Sequence, residues 1–208
     1  MKSTINFLLA GVGGQGTVLA SAVLVNVGLA AGFSAKQAEI HGMSQRGGSV
    51  VSMVRWGDVV YSPLIGLGEA DVLLAFEKAE ALRCVRYLRP GALALVNAVE
   101  ILPLTVTSGG QVYPDDQHLR TVIGQVTDHA TYLDASAIAR GVGNERAANV
   151  VLLGALSGML QGGRLERFSA PVQAWLDAVS AEVPPRHVEL NRRAFVAGRE
   201  AVAAATTA

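Results

Sequence analysis

The chain has 208 residues, of which 50% are apolar and 16% are charged, and its 17 basic side chains balance its 17 acidic ones. A chain of this length buries about 70% of its unfolded surface, so it can build a core without disulfides or structural metal. The absence of net charge and of like-charged runs argues against binding to nucleic acids or anionic membranes, because both require a basic face.

The single cysteine, Cys84, limits the metal and redox chemistry of the chain. One thiol forms no disulfide within the chain and cannot supply the four thiolates of an iron–sulfur cluster or a structural zinc site. The sequence therefore predicts a cytoplasmic protein without a cluster of its own, with Cys84 as a buried filler in a helix. Since His118, His129 and His187 are scattered, no metal site is expected. No apolar run reaches the roughly 20 residues of a membrane span, so neither a span nor a signal peptide is expected.

The N-terminal elements follow the order strand, glycine loop, helix. Residues 5–10 form a short apolar run that is typical of a buried parallel strand. After the loop, residues 17–31 predict a buried helix that starts at Thr17 as a possible N-cap and ends at Gly32. Residues 33–48 are rich in polar side chains and are interpreted as a long functional loop.

The remaining pattern alternates strands and helices and then becomes helical. We predict a hairpin at residues 49–55 and 59–61, which turns at 56–58 and ends at Pro63. A central strand at 71–76 and a helix at 77–89, stopped by Pro90-Gly91, follow, and then a strand at 92–97, a candidate strand at 101–107, a helix at 115–126 and a last strand at 131–134. The rest is helical, with helices at 135–140, 145–160, 170–181 and 186–204. The prediction is one α/β domain, 1–208, with a Rossmann-like, mostly parallel sheet flanked by helices and a helical C-terminal extension at about 135–208.

The loop at residues 11–16 has a spacing that suits an anion. Gly11, Gly13 and Gly16 follow the pattern G-x-G-x-x-G between a strand and a helix, where backbone N–H groups and the helix dipole can hold a phosphate. A nicotinamide dinucleotide site also needs an acidic residue about 20 positions on, but residues 33–36 contain none and Glu39 comes too late. Two other interpretations stay open: a tight turn packed against another chain, and a site for another anionic group or for the edge of a partner's cofactor.

A second polar cluster lies at residues 41–48. Gly47 and Gly48 allow the backbone to approach a ligand or a neighbouring subunit closely. Arg46 is either a solvated or ion-paired side chain, or an anion ligand through its planar guanidinium group. His41 is interpreted as a hydrogen-bonded loop histidine.

The glycine loop, GVGGQG, and the run EIHGMSQRGGSV at 39–50 together resemble the small subunit of indolepyruvate:ferredoxin oxidoreductases, a gamma-type domain of the 2-oxoacid:acceptor oxidoreductases. The resemblance extends through Ser62-Pro63, Ala70-Asp71 and residues 149–159. Other gamma-type domains have an acidic and a bulkier residue before the Arg-Gly-Gly triplet. This chain has Ser44-Gln45 there, which favours the arylpyruvate branch of the family.

The resemblance implies oxidative decarboxylation of an arylpyruvate with coenzyme A, which yields an arylacetyl-CoA, carbon dioxide and reduced ferredoxin. The chain lacks a Gly-Asp-Gly with a downstream Asn-Asn for thiamine diphosphate and Mg²⁺, so the resemblance implies a large alpha subunit that carries these and the iron–sulfur clusters. The small subunit would complete the active-site cleft, position coenzyme A, and be inactive alone.

No catalytic residue is assigned from the sequence. The candidate cofactor-binding residues are Gly11, Gly13, Gly14, Gln15, Gly16, Ser44, Gln45, Arg46, Gly47 and Gly48. Two alternatives remain at this point: a stand-alone NAD(P) or flavin oxidoreductase of Rossmann type, and a purely structural subunit.

Overall fold

The computed structural model describes residues 4–41, 48–102, 106 and 112–207. The strands in this part of the chain are β1 (Thr4–Val12), β2 (Ser34–His41), β3 (Ser49–Gly57), β4 (Ala70–Ala75), β5 (Leu88–Asn97) and β6 (Ala130–Leu133). The α-helices are α1 (Thr17–Ala30), α2 (Lys78–Cys84), α3 (Asp116–Gly124), α4 (Ala135–Gly141), α5 (Ala148–Met159), α6 (Val172–Glu182) and α7 (Val188–Thr207). Short 3-10 turns lie at Val85–Tyr87, Glu145–Ala147, Gly163–Phe168 and Pro185–His187.

The described strands form a mixed sheet in the order β2-β3-β1-β4-β5-β6. Strand β3 runs antiparallel to both of its neighbours, whereas β1, β4, β5 and β6 are mutually parallel. This confirms the predicted mostly parallel α/β sheet. Because β3 is inserted between β1 and β2, strand β2 lies two strand spacings, about 10 Å, from β1. The carboxyl ends of β1, β4 and β5 lie along one edge.

The central strands are covered on both faces, which explains their nearly unbroken apolar sequences. Phe7, Trp56 and Trp175 belong to a core on one face, between the sheet and helices α1 and α4 to α7. Leu8 and Met53 belong to a second core under α2 and α3. The C-terminal helices are therefore one layer of the sandwich, and α5 is buried along most of its length.

The prediction of a long loop at residues 33–48 is wrong in its first half. Residues 34–41 form strand β2, which pairs in register with β3 from Ser34 opposite Gly57 to His41 opposite Val50. Edge strands carry polar and exposed side chains, so this strand lacks the apolar pattern that marks the central ones. The predicted hairpin is also wrong, because residues 59–61 form no strand and β3 pairs with β1 and β2 instead.

Three further boundaries differ from the predictions. The helix predicted at 77–89 ends at Cys84, and β5 begins at Leu88 and continues through Pro90-Gly91, where Gly91 has a positive φ of 67° and the pairing with β4 is irregular. A proline and a glycine thus make a bulge here and do not stop the chain's regular structure. Thr17 is not the N-cap of α1, since Gly16 takes that position without a side-chain hydrogen bond.

The other predicted strands and helices are confirmed within two or three residues, and Gly32 ends α1 as expected. The candidate strand at 101–107 is not formed at residues 101 and 102, and its remainder lies largely outside the described residues. Within the described part of the chain, no helix combines the length and the apolar character that crossing a membrane would require.

Candidate functional site

The glycine loop after β1 is held in place by the amide of Gln15. Its Oε1 accepts a hydrogen bond from the Val12 N–H at 2.7 Å, and its Nε2 donates to the carbonyl of Phe76, the residue after β4, at 2.8 Å. The Gly13 N–H donates to the Gly48 carbonyl at 2.9 Å. The loop is thereby tied to the carboxyl end of β4 and to the residue before β3.

The end of this loop starts helix α1 and leaves its first turn open to an anion. Gly16 is the N-cap with a left-handed φ of 79°, no side chain caps the helix, and its first turn holds no acidic residue. The unpaired N–H groups and the positive end of the helix dipole at such a terminus favour negative charge.

A cavity of about 830 Å³ opens beside the glycine loop at the carboxyl edge of the sheet. The residues that line it come from this loop, from the ends of β4 and β5 and from the chain around α4 and α5: Gly14, Gln15, Gly16, Phe76, Asn97, Val99, Ile101, Ser136, Asn144, Glu145, Arg146, Ala148 and Asn149. Ligands of open α/β sheets bind at this edge.

Two buried asparagines hold this edge together. Asn97 donates to the Phe76 carbonyl at 3.2 Å and accepts from the Ala135 N–H at 3.0 Å. Asn149 lies directly against Gly16, with its Nδ2 3.5 Å from the Gly16 carbonyl oxygen. Asn149 therefore joins the start of α5 to the start of α1.

Arg146 brings a positive charge to the cavity. Its side chain is exposed and makes no ion pair or side-chain hydrogen bond with the described residues. The neighbouring Glu145 pairs instead with Arg140, at 2.8 Å. Sequence reasoning missed Arg146. The sequence did offer one signal, because Arg146 is a basic residue at the start of a helix. The helix dipole disfavours a positive charge there, so a binding role would explain an arginine at this position.

The opposite wall of the cavity, Val99 and Ile101, is held by Glu77 and Lys78 at the start of α2. The Glu77 carboxylate is buried. It accepts from the Ile101 N–H at 3.1 Å, from the Glu80 N–H at 2.9 Å and from the Tyr113 hydroxyl. The Lys78 N–H donates to the Val99 carbonyl at 3.2 Å.

The Lys78 ammonium also binds two carboxylates, Glu100 at 2.9 Å and Asp116 at 2.5 Å. Burial lowers the pKa of Lys78, but its hydrogen bonds to Asp116 and Glu100 outweigh burial, and the pKa is raised overall. Burial and the hydrogen bond to Glu77 likewise raise the pKa of Tyr113. Glu77 and Lys78 thus fasten both ends of the connection from β5 to α3, with Lys78 charged and Tyr113 protonated at neutral pH.

The second polar motif ends at the same edge as the glycine loop. Ser49 pairs with Val12 in the sheet, and its hydroxyl donates to the Glu80 carboxylate at 2.5 Å. Burial raises the pKa of this carboxyl. Ser44, Gln45, Arg46 and Gly47 lie outside the described residues, so their part in the site stays a prediction.

Cys84 is buried in α2, as predicted, and burial raises the pKa of its thiol to about 12. A protonated, buried thiol is unreactive. Among the described residues, no group of three or more His, Cys, Asp or Glu side chains is placed to hold a metal ion.

The fold and the cavity define an α/β protein with a cleft at the carboxyl edge of its sheet, beside a glycine-rich strand-to-helix loop. Residues 6–201 match the family model of pyruvate ferredoxin/flavodoxin oxidoreductases. The chain belongs to this family, and it is a subunit of that class of oxidoreductase.

Known proteins support this assignment. The chain is 37% identical over 197 residues to the indolepyruvate oxidoreductase subunit IorB of Pyrococcus horikoshii. The aligned residues cover 94% of this chain and 95% of the Pyrococcus protein. The gamma subunit of a keto/oxoacid ferredoxin oxidoreductase from Geobacter sulfurreducens superposes with a TM-score of 0.69 at 26% identity, over 96% and 99% of the two chains. The resemblance expected from the two glycine-rich motifs is therefore confirmed.

A more distant structure shares the fold. It is a 2-oxoglutarate:ferredoxin oxidoreductase from Magnetococcus marinus, with 2-oxoglutarate, coenzyme A and succinyl-CoA bound, and it has a TM-score of 0.71 at 18% identity. The match covers 98% of this chain but 32% of that one. In that protein the fold is one part of a longer polypeptide.

Proposed function

We propose that the chain is the small subunit of an arylpyruvate:ferredoxin oxidoreductase that acts on indolepyruvate. The reaction breaks the bond between the carboxylate and carbonyl carbons of the 2-oxoacid, releases carbon dioxide, joins the acyl group to the sulfur of coenzyme A with release of the thiol proton, and passes the two electrons to ferredoxin. The observation that carries the proposal is the cavity at the carboxyl edge, where the glycine loop meets Arg146, an arginine without an ion pair among the described residues. The identity to the Pyrococcus subunit over nearly the whole chain supports the substrate class.

The partner in this proposal is a large subunit that carries thiamine diphosphate, Mg²⁺ and iron–sulfur clusters. One cysteine cannot bind a cluster, so electron transfer needs a second chain. We infer that the glycine loop, residues 39–50 and part of the C-terminal helical layer form the interface with it. The cavity would then close into a cleft only in the complex.

Within this cleft, we infer that coenzyme A is held through its phosphate groups. The start of α1 offers backbone N–H donors, Gly14 and Gly16 present no side chain, and Arg146 supplies a guanidinium group. Arg46 is a second proposed anion ligand. Here the chain's own residues bind and orient the acyl acceptor, while the chemistry at the carbonyl carbon takes place on the large subunit's cofactor.

The main alternative is a purely structural subunit. The amide of Gln15 supports it, because its oxygen and its nitrogen each already make a hydrogen bond inside the chain that holds the loop in place. A stand-alone nicotinamide enzyme is disfavoured by the topology. The acid that binds ribose belongs at the end of a strand next to β1, but here β3 occupies that place and Glu39 lies on β2, one strand further away.

The experiment is steady-state kinetics of the complex reconstituted from both subunits, with coenzyme A as the varied substrate. Arg146→Gln removes one charge-assisted contact, so we expect the KM for coenzyme A to rise about tenfold with the KM for indolepyruvate unchanged. Arg46→Lys should act in the same direction because it loses the planar fork. Arg186→Gln, an exposed arginine away from the cavity, is the matched control.

Size-exclusion chromatography of each complex separates the two functions. If Arg146→Gln and Arg46→Lys leave every coenzyme A constant at the wild-type value, the cleft does not hold coenzyme A. A change in assembly alone would then identify a structural subunit.

A further inference from the structure

A smaller cavity, of about 170 Å³, lies at the other edge of the sheet, where the parallel strands begin. It is lined by Thr4, Asp71, Arg89, Arg164, Leu165, Arg167 and Phe168. Thr4 is the first residue of β1, whereas the glycine loop follows the last. Since a strand of this length spans more than 20 Å, this cavity is separate from the candidate site.

Positive charge predominates in this cavity. Three arginines and one acidic residue line it. Asp71 is almost fully buried and already has partners: it accepts from the Asn6 N–H at 2.8 Å and pairs with Arg89 at 2.6 Å. One carboxylate thus faces three guanidinium groups, so positive charge exceeds negative charge among the side chains that line the cavity.

The contacts of these two arginines are made with neutral groups. Arg164 donates to the Gly91 carbonyl, and the guanidinium carbon of Arg167 lies 4.3 Å from the centre of the Phe168 ring. Glu166 lies on the same 3-10 turn but does not line the cavity. Among the described residues, neither arginine is paired with a carboxylate.

Two observations indicate that Asp71 alone does not satisfy this cluster. Burial, and next the neighbouring charge of Arg89, lower the pKa of Arg164 and outweigh the charge of Asp71, which raises it. The Nε of Arg89 is buried without a hydrogen-bond acceptor in the described part of the chain. Like charges held close together gain most from an anion that lies between them.

We propose that this cavity binds a phosphate group, either free or as a small monoester. Guanidinium groups bind phosphate through paired, charge-assisted hydrogen bonds, and the excess of positive charge among three arginines and one carboxylate matches a doubly charged anion better than a singly charged carboxylate. The volume is too small for a nucleotide. The site does not depend on the proposed function, because it lies at the opposite edge of the sheet.

The test is isothermal titration of the purified full-length chain with inorganic phosphate, at constant ionic strength in chloride. Saturable binding to one site is expected, and it should weaken at least about tenfold in Arg164→Gln and in Arg167→Gln. Arg193→Gln is the matched control, because Arg193 is also an exposed arginine that donates to a backbone carbonyl, that of Val142. It should bind phosphate like the wild type.

A titration with acetate tests the charge of the ligand, and glycerol phosphate tests its source. Acetate should bind far more weakly than phosphate, and equal affinities would overturn the proposal. Binding of glycerol phosphate as well as phosphate supports a monoester site, and binding of phosphate alone supports a site for the free anion.

The variants also locate the anion. No saturable phosphate binding by the wild type, or unchanged binding in both Arg164→Gln and Arg167→Gln, would overturn the proposal. Binding that is lost in Arg146→Gln but kept in Arg164→Gln would place the phosphate in the cleft at the carboxyl edge and would also overturn it. The coenzyme A kinetics of the complex remain a separate measurement.

Discussion

Gly16 combines two demands that a side chain cannot meet. Its φ of 79° lies in the left-handed region, and a Cβ on this residue would overlap the Asn149 amide. The first demand comes from the turn into α1, and the second from the close approach of α5. Gly16 therefore sets how closely these two helices meet beside the cavity.

Gly16→Ala is expected to lower the free energy of unfolding by about 2–3 kcal/mol, since backbone strain and overpacking add. Gly32→Ala is the matched control. Gly32 has a similar φ of 84°, but no atom lies near its missing Cβ, so only the strain of about 1–2 kcal/mol should remain. Chemical denaturation measures both. In an Asn149→Ala background, Gly16→Ala should lower the free energy of unfolding no more than Gly32→Ala does. A larger loss in that background would show that the clash with Asn149 is not the cause.

At the scale of elements, α5 and α7 pack backbone against backbone. A Cβ on Gly154 of α5 would overlap the Phe195 carbonyl, and a Cβ on Gly198 of α7 would overlap the Val151 carbonyl. The two glycines lie on facing helices, so each helix accommodates the other's backbone. This contact sets the distance between α5 and α7 within the C-terminal layer.

We expect Gly154→Ala or Gly198→Ala to destabilise the chain by about 3 kcal/mol, because backbone atoms cannot rotate away as side chains do. Gly124, the last residue of α3, has open space around its missing Cβ. Gly124→Ala should leave stability unchanged or raise it by up to about 1 kcal/mol. Thermal and denaturant unfolding of the three variants gives the comparison. Equal effects at 124 and 154 would contradict the packing argument.

The Lys78 ion pairs predict a defined pH dependence. Because the pKa of Lys78 is raised in the folded state, the contribution of Lys78 to folding stability is complete below the ordinary pKa of 10.5. It is lost as pH rises through the higher pKa of the folded state. Hydrogen bonding to Lys78 lowers the pKa of Asp116. The contribution of Asp116 to folding stability is therefore present above its ordinary pKa of 3.8 and is lost as pH falls through the lower pKa of the folded state.

Lys78→Met should therefore be less stable than the wild type by a constant amount across neutral pH. The difference should shrink only in strong acid and in strong base. Lys36→Met, which alters an exposed lysine that donates to the Tyr61 carbonyl, is the control and should show little effect. Urea denaturation at a series of pH values measures the difference. A difference that changes between pH values near neutrality would contradict the assignment.

The cleft lies at the surface of the chain, whereas both hydrophobic cores are buried. We expect the purified chain to bind neither thiamine diphosphate nor iron and to turn over indolepyruvate only after the large subunit is added. Metal analysis, thiamine diphosphate titration and an assay with ferredoxin measure this. Stoichiometric iron in the isolated chain, or turnover without the large subunit, would contradict the proposed division of labour.

Local patterns were sufficient to predict much of this molecule from its sequence. Buried central strands show as apolar runs, and helices show as longer segments ended by glycine or proline, because both signals lie within about ten neighbouring residues. The family was evident from two glycine-rich segments, of which the loop alone would have been weak. The edge strand β2 was missed, since a polar edge strand has the composition of a loop.

Which of these segments meet follows from the strand order and the packing of the helices. The sequence determined a mostly parallel α/β sheet and an anion-compatible loop. It did not determine that β3 lies between β1 and β2, which removes the ribose-binding position from the glycine loop. Nor did it bring Asn149 to Gly16, 133 positions apart, or Arg146 to the same cleft. Such contacts depend on strand order and helix packing. Both are determined by the burial of side chains that are far apart in the sequence, so no local sequence pattern predicts them.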